Sequence, residues 1–111
     1  MKLYLYQDDN LIKELKVSSY IDNTYEIIDD DTKMKIALKP AIIITRDNKE
    51  AHFELNLTNN TCIYQLLEYN VSYDIELLMK NIINNEDKII IEYKLNTQDV
   101  LNKIIIEKEE K

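Results

Sequence analysis

Glycine and tryptophan are absent from this 111-residue chain, and proline, cysteine, arginine, histidine and phenylalanine occur once each. Each shortage excludes something. Without glycine there is no P-loop, no dinucleotide fingerprint and no G-x-S-x-G elbow, because each needs a residue lacking Cβ where backbone closes on ligand. The single cysteine, Cys62, rules out an intrachain disulfide and a cysteine zinc cluster, and points to a reducing compartment. The single arginine, Arg46, leaves little for bidentate phosphate recognition. A formal net charge of −7 argues against nucleic acid or an anionic membrane as partner. It suits solubility and a basic protein partner instead. No apolar run nears the roughly 18–20 residues of a membrane span. The opening "MKLYLYQDDN" turns acidic by residue 8, too soon for a signal peptide. The expectation is a cytoplasmic protein, in which the sequons at Asn56, Asn59 and Asn70 are by-products of an Asn-rich chain.

What is abundant is Ile, Asn, Lys and Tyr, the residue set that an AT-rich genome encodes. That bias accounts for the missing glycine and suggests a bacterium or one of its phages as source. Length and the lack of any linker composition or repeat point to one domain over 1–111.

Polar breaks recur every 8–15 residues or so: "QDDN", "DN", "DDDT", "RDNK", "TNNT", "NNED" and "NTQD". Asn and Asp tolerate left-handed backbone better than other residues with a Cβ, so they are the turn formers available here. Between the breaks, apolar residues alternate with polar ones. Met34, Ile36 and Leu38 share a face; so do Phe53, Leu55 and Leu57, and Ile89, Ile91, Tyr93 and Leu95. Residues 71–79 place Val71, Tyr73, Ile75, Leu77 and Met79 together. One face in and one face wet is the antiparallel pattern. The expected fold is all-β, an antiparallel meandering barrel of about eight to ten short strands. A competing pattern exists at 72–83 and 97–110, where Ser72 and Thr97 could cap helices with apolar stripes, giving an α+β alternative. The stretch "DKIIIEYKLNTQDVLNKIIIE", 87–107, is thus either a hairpin or a strand followed by a helix. The Ile triplets at 42–44, 89–91 and 104–106 each leave one apolar residue facing outward, to be covered by a terminal segment, a second sheet or the partner subunit of a homodimer.

From Thr32 onward the order "TKMKIAL", "AIIITRDNKEAHFELNL", "CIYQLLEYNVSYDIELLMKNI", "KIIIEYKLNTQDVLNKIIIE" resembles the YwiB-like family of small Firmicute proteins of unknown function. Ile44-Thr45-Arg46, Phe53-Glu54-Leu55, Tyr64, Tyr69-Asn70 and Tyr93-Lys94-Leu95 stand at the corresponding places, over roughly residues 24–107. The resemblance implies a calycin-type, lipocalin-like β-barrel and no established activity. Where the family has glycines this chain has Asn48 after "RD" and Asn70 after Tyr69, both in the role of a left-handed turn residue.

Few residues here carry chemistry. His52 lies on the wet side of its strand near Glu50 and Glu54, as a general base or as a surface histidine. A Cys62–His52 nucleophilic pair has no oxyanion signature beside it. "DDDT" lacks the glycine and the twelfth-position glutamate of a calcium loop and reads as a solvated turn. No cofactor and no metal is expected, and no enzyme. The candidate ligand contacts are Tyr64, Tyr73 and Tyr93, with Arg46 at a rim, lining a barrel that takes a small, mostly apolar ligand. The structural alternative is a barrel filled by its own side chains. A second function fits the same composition: a small acidic interaction or inhibitor protein from a phage or mobile element, bound to a basic host protein.

Overall fold

The computed structural model describes residues 1–108. Twelve strands make up its regular structure: β1 (Lys2–Gln7), β2 (Asn10–Lys16), β3 (Ser19–Ile21), β4 (Thr24–Asp29), β5 (Thr32–Ala37), β6 (Ile43–Asp47), β7 (Ala51–Asn56), β8 (Thr61–Leu66), β9 (Val71–Asp74), β10 (Leu77–Asn84), β11 (Lys88–Leu95) and β12 (Asn102–Glu107). The fold is all-β and antiparallel, as the alternation predicts, with more strands than the eight to ten expected and, among the described residues, no ladder that closes them into the expected barrel. Both segments with helical stripes are strands: 72–83 is divided between β9 and β10, and 97–110 contains β12. The last residues of that second stretch, 109–110, lie outside the described residues. Consecutive isoleucines favour the strand because branching at Cβ restricts χ1 against a helical turn. No helix among the described residues is long and apolar enough to cross a membrane.

The ladders form two sheets, in the orders β10-β11-β12-β1-β2 and β3-β4-β5-β6-β7-β8-β9. They fall in two compact units, residues 1–16 with 77–111, and 17–76. In the five-stranded sheet β11 and β12 form the expected hairpin, with Ile89 opposite Ile106 and Ile91 opposite Ile104. β1 continues both rows with Leu3 and Leu5. Ile89, Ile91, Ile104, Ile106 and Leu3 are fully or almost fully buried. Burying each such side chain stabilises by about 1.5–3 kcal/mol before chain entropy is counted. On the other face Ile90 stands opposite Ile105 and Tyr4 stands beyond Ile105. All three are half-buried, so the outward member of these two triplets shelters among its cross-strand neighbours.

The seven-stranded sheet is a meander in which every strand pairs with its neighbour in sequence. One register row runs Tyr25, Ile36, Ile44, Leu55, Cys62 across β4 to β8. All five are buried, Ile36, Ile44 and Leu55 completely. The period-2 pattern put Ile36 and Leu55 on the inward faces of their strands, and the ladder lines them up with Tyr25, Ile44 and Cys62.

The turns explain how a chain without glycine makes tight hairpins. Among the described residues every positive φ belongs to Asp or Asn: Asp8, Asp9, Asp22, Asn23, Asp30, Asn60 and Asn70. Asp8-Asp9 and Asp22-Asn23 each supply two consecutive left-handed residues, the requirement of a two-residue hairpin whose twist matches its strands. Asn70, at φ 52°, stands as the sequence predicts. Asn48 does not: its side-chain carbonyl accepts the N–H groups of Glu50 (2.8 Å) and Ala51 (2.9 Å), and its backbone stays out of the left-handed region. Asparagine closes that turn with its amide instead of its φ. The 87–107 hairpin turns without a left-handed residue, over the longer connection from Asn96 to Leu101.

Candidate functional site

The connections of the seven-stranded sheet build one alignment that periodicity alone does not show. Four residues separate the closing pairs Asp47–His52, Asn56–Thr61 and Leu66–Val71. Equal loop lengths keep the strands level. Arg46 on β6 therefore stands opposite Phe53 on β7, Phe53 opposite Tyr64 on β8, and Tyr64 opposite Tyr73 on β9. Met34 and Ile27 complete the row on β5 and β4.

Burial changes along this row. Ile27 and Met34 are buried, Phe53 and Tyr64 are half-buried, and Tyr73 is 51% exposed. The sequence placed Tyr73 inside with the aliphatic residues, and the structure corrects that. Tyr73 is on the face of the buried rows, but β9 is the last strand of its sheet, so β8 alone flanks it. The expected continuous alternation over 71–79 fails for a related reason. β9 stops at Asp74, and β10 begins at Leu77 in the other sheet with a register shift between Leu77 and Met79. Met79 then pairs with Lys94 and is exposed.

The Arg46 guanidinium sits 5.8 Å from the centre of the Phe53 ring. That distance permits a cation–π attraction of about 0.5–1 kcal/mol at an exposed position. Exposed aromatic and aliphatic side chains continue past the row: Val71 on β9, and Leu67 and Tyr69 in the β8–β9 loop, Tyr69 being 70% exposed. Three of the four residues singled out in the sequence, Arg46, Tyr64 and Tyr73, thus share one row. The fourth does not. Tyr93 is 4% exposed on β11 of the five-stranded sheet, opposite Asn102, whose side-chain amide donates to Gln98 Oε1 at 2.8 Å.

Phe53 belongs to the site, although in sequence it is marked only as inward-facing beside Leu55 and Leu57 and as a position of the family resemblance. Its signal was available in the hairpin arithmetic. Four-residue loops closing at Asn56–Thr61 and Leu66–Val71 put Phe53, Tyr64 and Tyr73 in line once those closing pairs are known.

The possible nucleophilic pair is not assembled. Leu55 faces Cys62 across the β7–β8 ladder, whereas His52 faces Gln65, on the opposite side of the sheet. Burial pushes the Cys62 thiol up to about 11, which works against a thiolate at neutral pH. His52 contacts the Asp47 carboxylate through Nδ1, and its Nε2 lies 4.0 Å from Glu54 Oε1. This is a cross-strand surface cluster with two acidic neighbours. The "DDDT" segment forms the β4–β5 turn, with Asp29 paired to Thr32.

Comparison with protein-family models, with curated proteins and with solved structures found no match.

Proposed function

We propose that this chain is a non-enzymatic interaction protein that engages a basic surface of another protein through the aromatic face of β7 to β9. One observation carries the reading: beyond Arg46, the row Phe53–Tyr64–Tyr73 emerges into solvent on strands whose sequence has no lysine or arginine. Residues 50–79 contain Glu50, Glu54, Glu68, Asp74 and Glu76 and no lysine or arginine. Tyrosine and phenylalanine supply large contact area at small conformational cost, as in the centres of protein interfaces. Carboxylates of the same strands and loops, with Glu54 and Asp74 on the reverse face of the sheet, make the local potential negative and steer a cationic partner. A cytoplasmic setting is part of the proposal and rests on the single, unpaired cysteine.

The test is retention of a partner on immobilised wild-type protein beside a Tyr64→Ala/Tyr73→Ala variant of unchanged circular dichroism. The expected partner is basic, leaves the wild type as salt rises, and is held at least about tenfold less by the variant, as loss of central aromatic anchors implies. Equal retention by both proteins would overturn the reading.

A second reading is favoured by Arg46 lying over Phe53. A small, mostly apolar ligand with one acidic group would lie along the same row and pair with the guanidinium. Kinship with the YwiB-like family goes with this reading, and the matching positions Arg46, Phe53 and Tyr64 fall on the row. Native mass spectrometry of the purified protein separates the two. A retained small molecule that is lost on Arg46→Ala supports the second reading, and the same spectrum counts subunits.

A further inference from the structure

Four strands end a sheet here: β2 and β10 in the five-stranded sheet, β3 and β9 in the seven-stranded one. Edge strands present N–H and C=O groups that another strand can join, and proteins blunt them with bulges, inward-facing charges or short length. β2 carries a register shift between Leu5 and Tyr6, and Lys13 stands opposite Leu5, on the face where Leu3 and Ile104 are buried. β10 carries the same two devices: a shift between Leu77 and Met79, and Lys80 opposite the buried Tyr93. β3 has three residues, and Ser18 just before it accepts the Ile28 N–H at 3.3 Å through its hydroxyl. β9 has neither device. Its four residues pair with β8 without a register shift, contain no lysine or proline, and are all exposed.

The hydrogen-bond phase of β9 is fixed by its end. Ile75 donates its N–H to the Cys62 carbonyl at 2.8 Å. Residues alternate along an antiparallel ladder between facing the partner and facing away. Tyr73 and Val71 therefore direct their backbone groups to β8, and Ser72 and Asp74 direct theirs to the open edge.

We propose that β9 is a docking edge for an extended, basic segment of a partner protein, which adds antiparallel to it as an eighth strand of the sheet. The proposal rests on the interaction reading above and specifies its mode. The side chain opposite Tyr73 lengthens the row Phe53–Tyr64–Tyr73 and is aromatic or β-branched. The residue opposite Asp74 is lysine or arginine, because opposite charges are favoured at directly facing positions and this edge has no cation of its own. A second copy of this chain would instead bring another set of carboxylates to the same edge. Main-chain bonds supply affinity in such strand addition, and alternate side chains supply specificity.

The probe is the fluorescein-labelled peptide Lys-Val-Lys-Phe-Thr-Val-Lys, whose Lys-Phe-Thr-Val core stands opposite Asp74 to Val71, titrated with full-length protein by fluorescence anisotropy. Binding to the wild type is expected, weakening with salt, and none is expected for the analogue with Glu in place of each Lys. N-methylating the two amides that face Ser72 and Asp74 is expected to lower affinity about tenfold or more, whereas N-methylating the intervening Phe amide leaves it unchanged. Ser72→Pro removes only an outward N–H, which an edge strand tolerates, and is expected to cost a similar factor. Should that variant fail to fold, the N-methyl pair on native protein decides. Binding that survives the facing N-methyl groups overturns the edge and leaves the aromatic face as the interaction surface. No binding of the basic peptide by the wild type, or equal binding of both charge versions, overturns the proposal and the interaction reading together.

Discussion

At Asn70 the backbone is left-handed, with φ at 52°, in a loop whose remaining closure is the Asn70 N–H to Leu67 carbonyl bond at 3.3 Å. An asparagine side chain tolerates that geometry through local hydrogen bonding, whereas an ordinary Cβ crowds the following carbonyl. Asn70→Ala is accordingly expected to destabilise by about 1 kcal/mol, and Asn70→Gly to stay within about 0.5 kcal/mol of the wild type. Urea midpoints at constant slope would check this; a loss as large for glycine as for alanine would show that the amide, and not the dihedral, closes the loop. The same residue type works differently at Asn48, where the amide oxygen holds two backbone N–H groups. A sequence names the residue in both cases. It does not say whether its φ or its side chain makes the turn, since both are local solutions of similar energy for asparagine.

Strands were legible where one face is buried along the full length. Ile89, Ile91, Tyr93 and Leu95 alternate as buried residues on β11, and Leu55 and Leu57 do so at and just past the end of β7. The pattern misled at residues 71–79, because alternation of residue types continues there while the strand changes sheets and slips register. The site was half legible for the same reason. Which residues face inward follows from a period of two, but how far along a face burial extends depends on what flanks the strand, and Tyr73 lies at a sheet edge. Lys13 and Lys80 are informative at this scale. Each stands on the buried face of an edge strand, where added strands would have to cover a charge. Replacing both, Lys13→Val/Lys80→Val, is expected to leave the fold intact and to promote association. Light scattering at increasing protein concentration would read it, and a signal unchanged from the wild type would show that the bulges alone protect these edges.

For the molecule as a whole, the perturbed groups sit on the alkaline side. Burial pushes the Cys62 thiol from 9.0 up to about 11. The hydrogen bond with Glu107 pushes the Tyr4 hydroxyl from 10.0 up to about 12, and burial also raises Tyr25. In each case the folded protein holds its proton more tightly than the unfolded chain. Their contribution to stability is complete below the unfolded values and is lost as pH climbs through the folded ones. Stability is therefore expected to be level through neutrality and to fall from about pH 9 upward. Cys62→Ala should move the onset toward pH 10, where the tyrosines begin. Urea midpoints at pH 7, 9, 10 and 11 would measure both onsets, and a midpoint that rises between pH 9 and 11 would contradict the direction of all three shifts.

The pairing of β1 with β12, from Lys2–Glu107 to Gln7–Asn102, has a consequence during synthesis. A nascent chain leaves the ribosome N-terminus first, at roughly 5–20 residues per second. β1 must then wait several seconds, one side unclaimed, for a companion that lies far along the chain at residues 102–107. The meander from β3 to β9, whose every ladder joins neighbours in sequence, has no such delay. It is free to condense while the opening hairpin still has one edge unpaired.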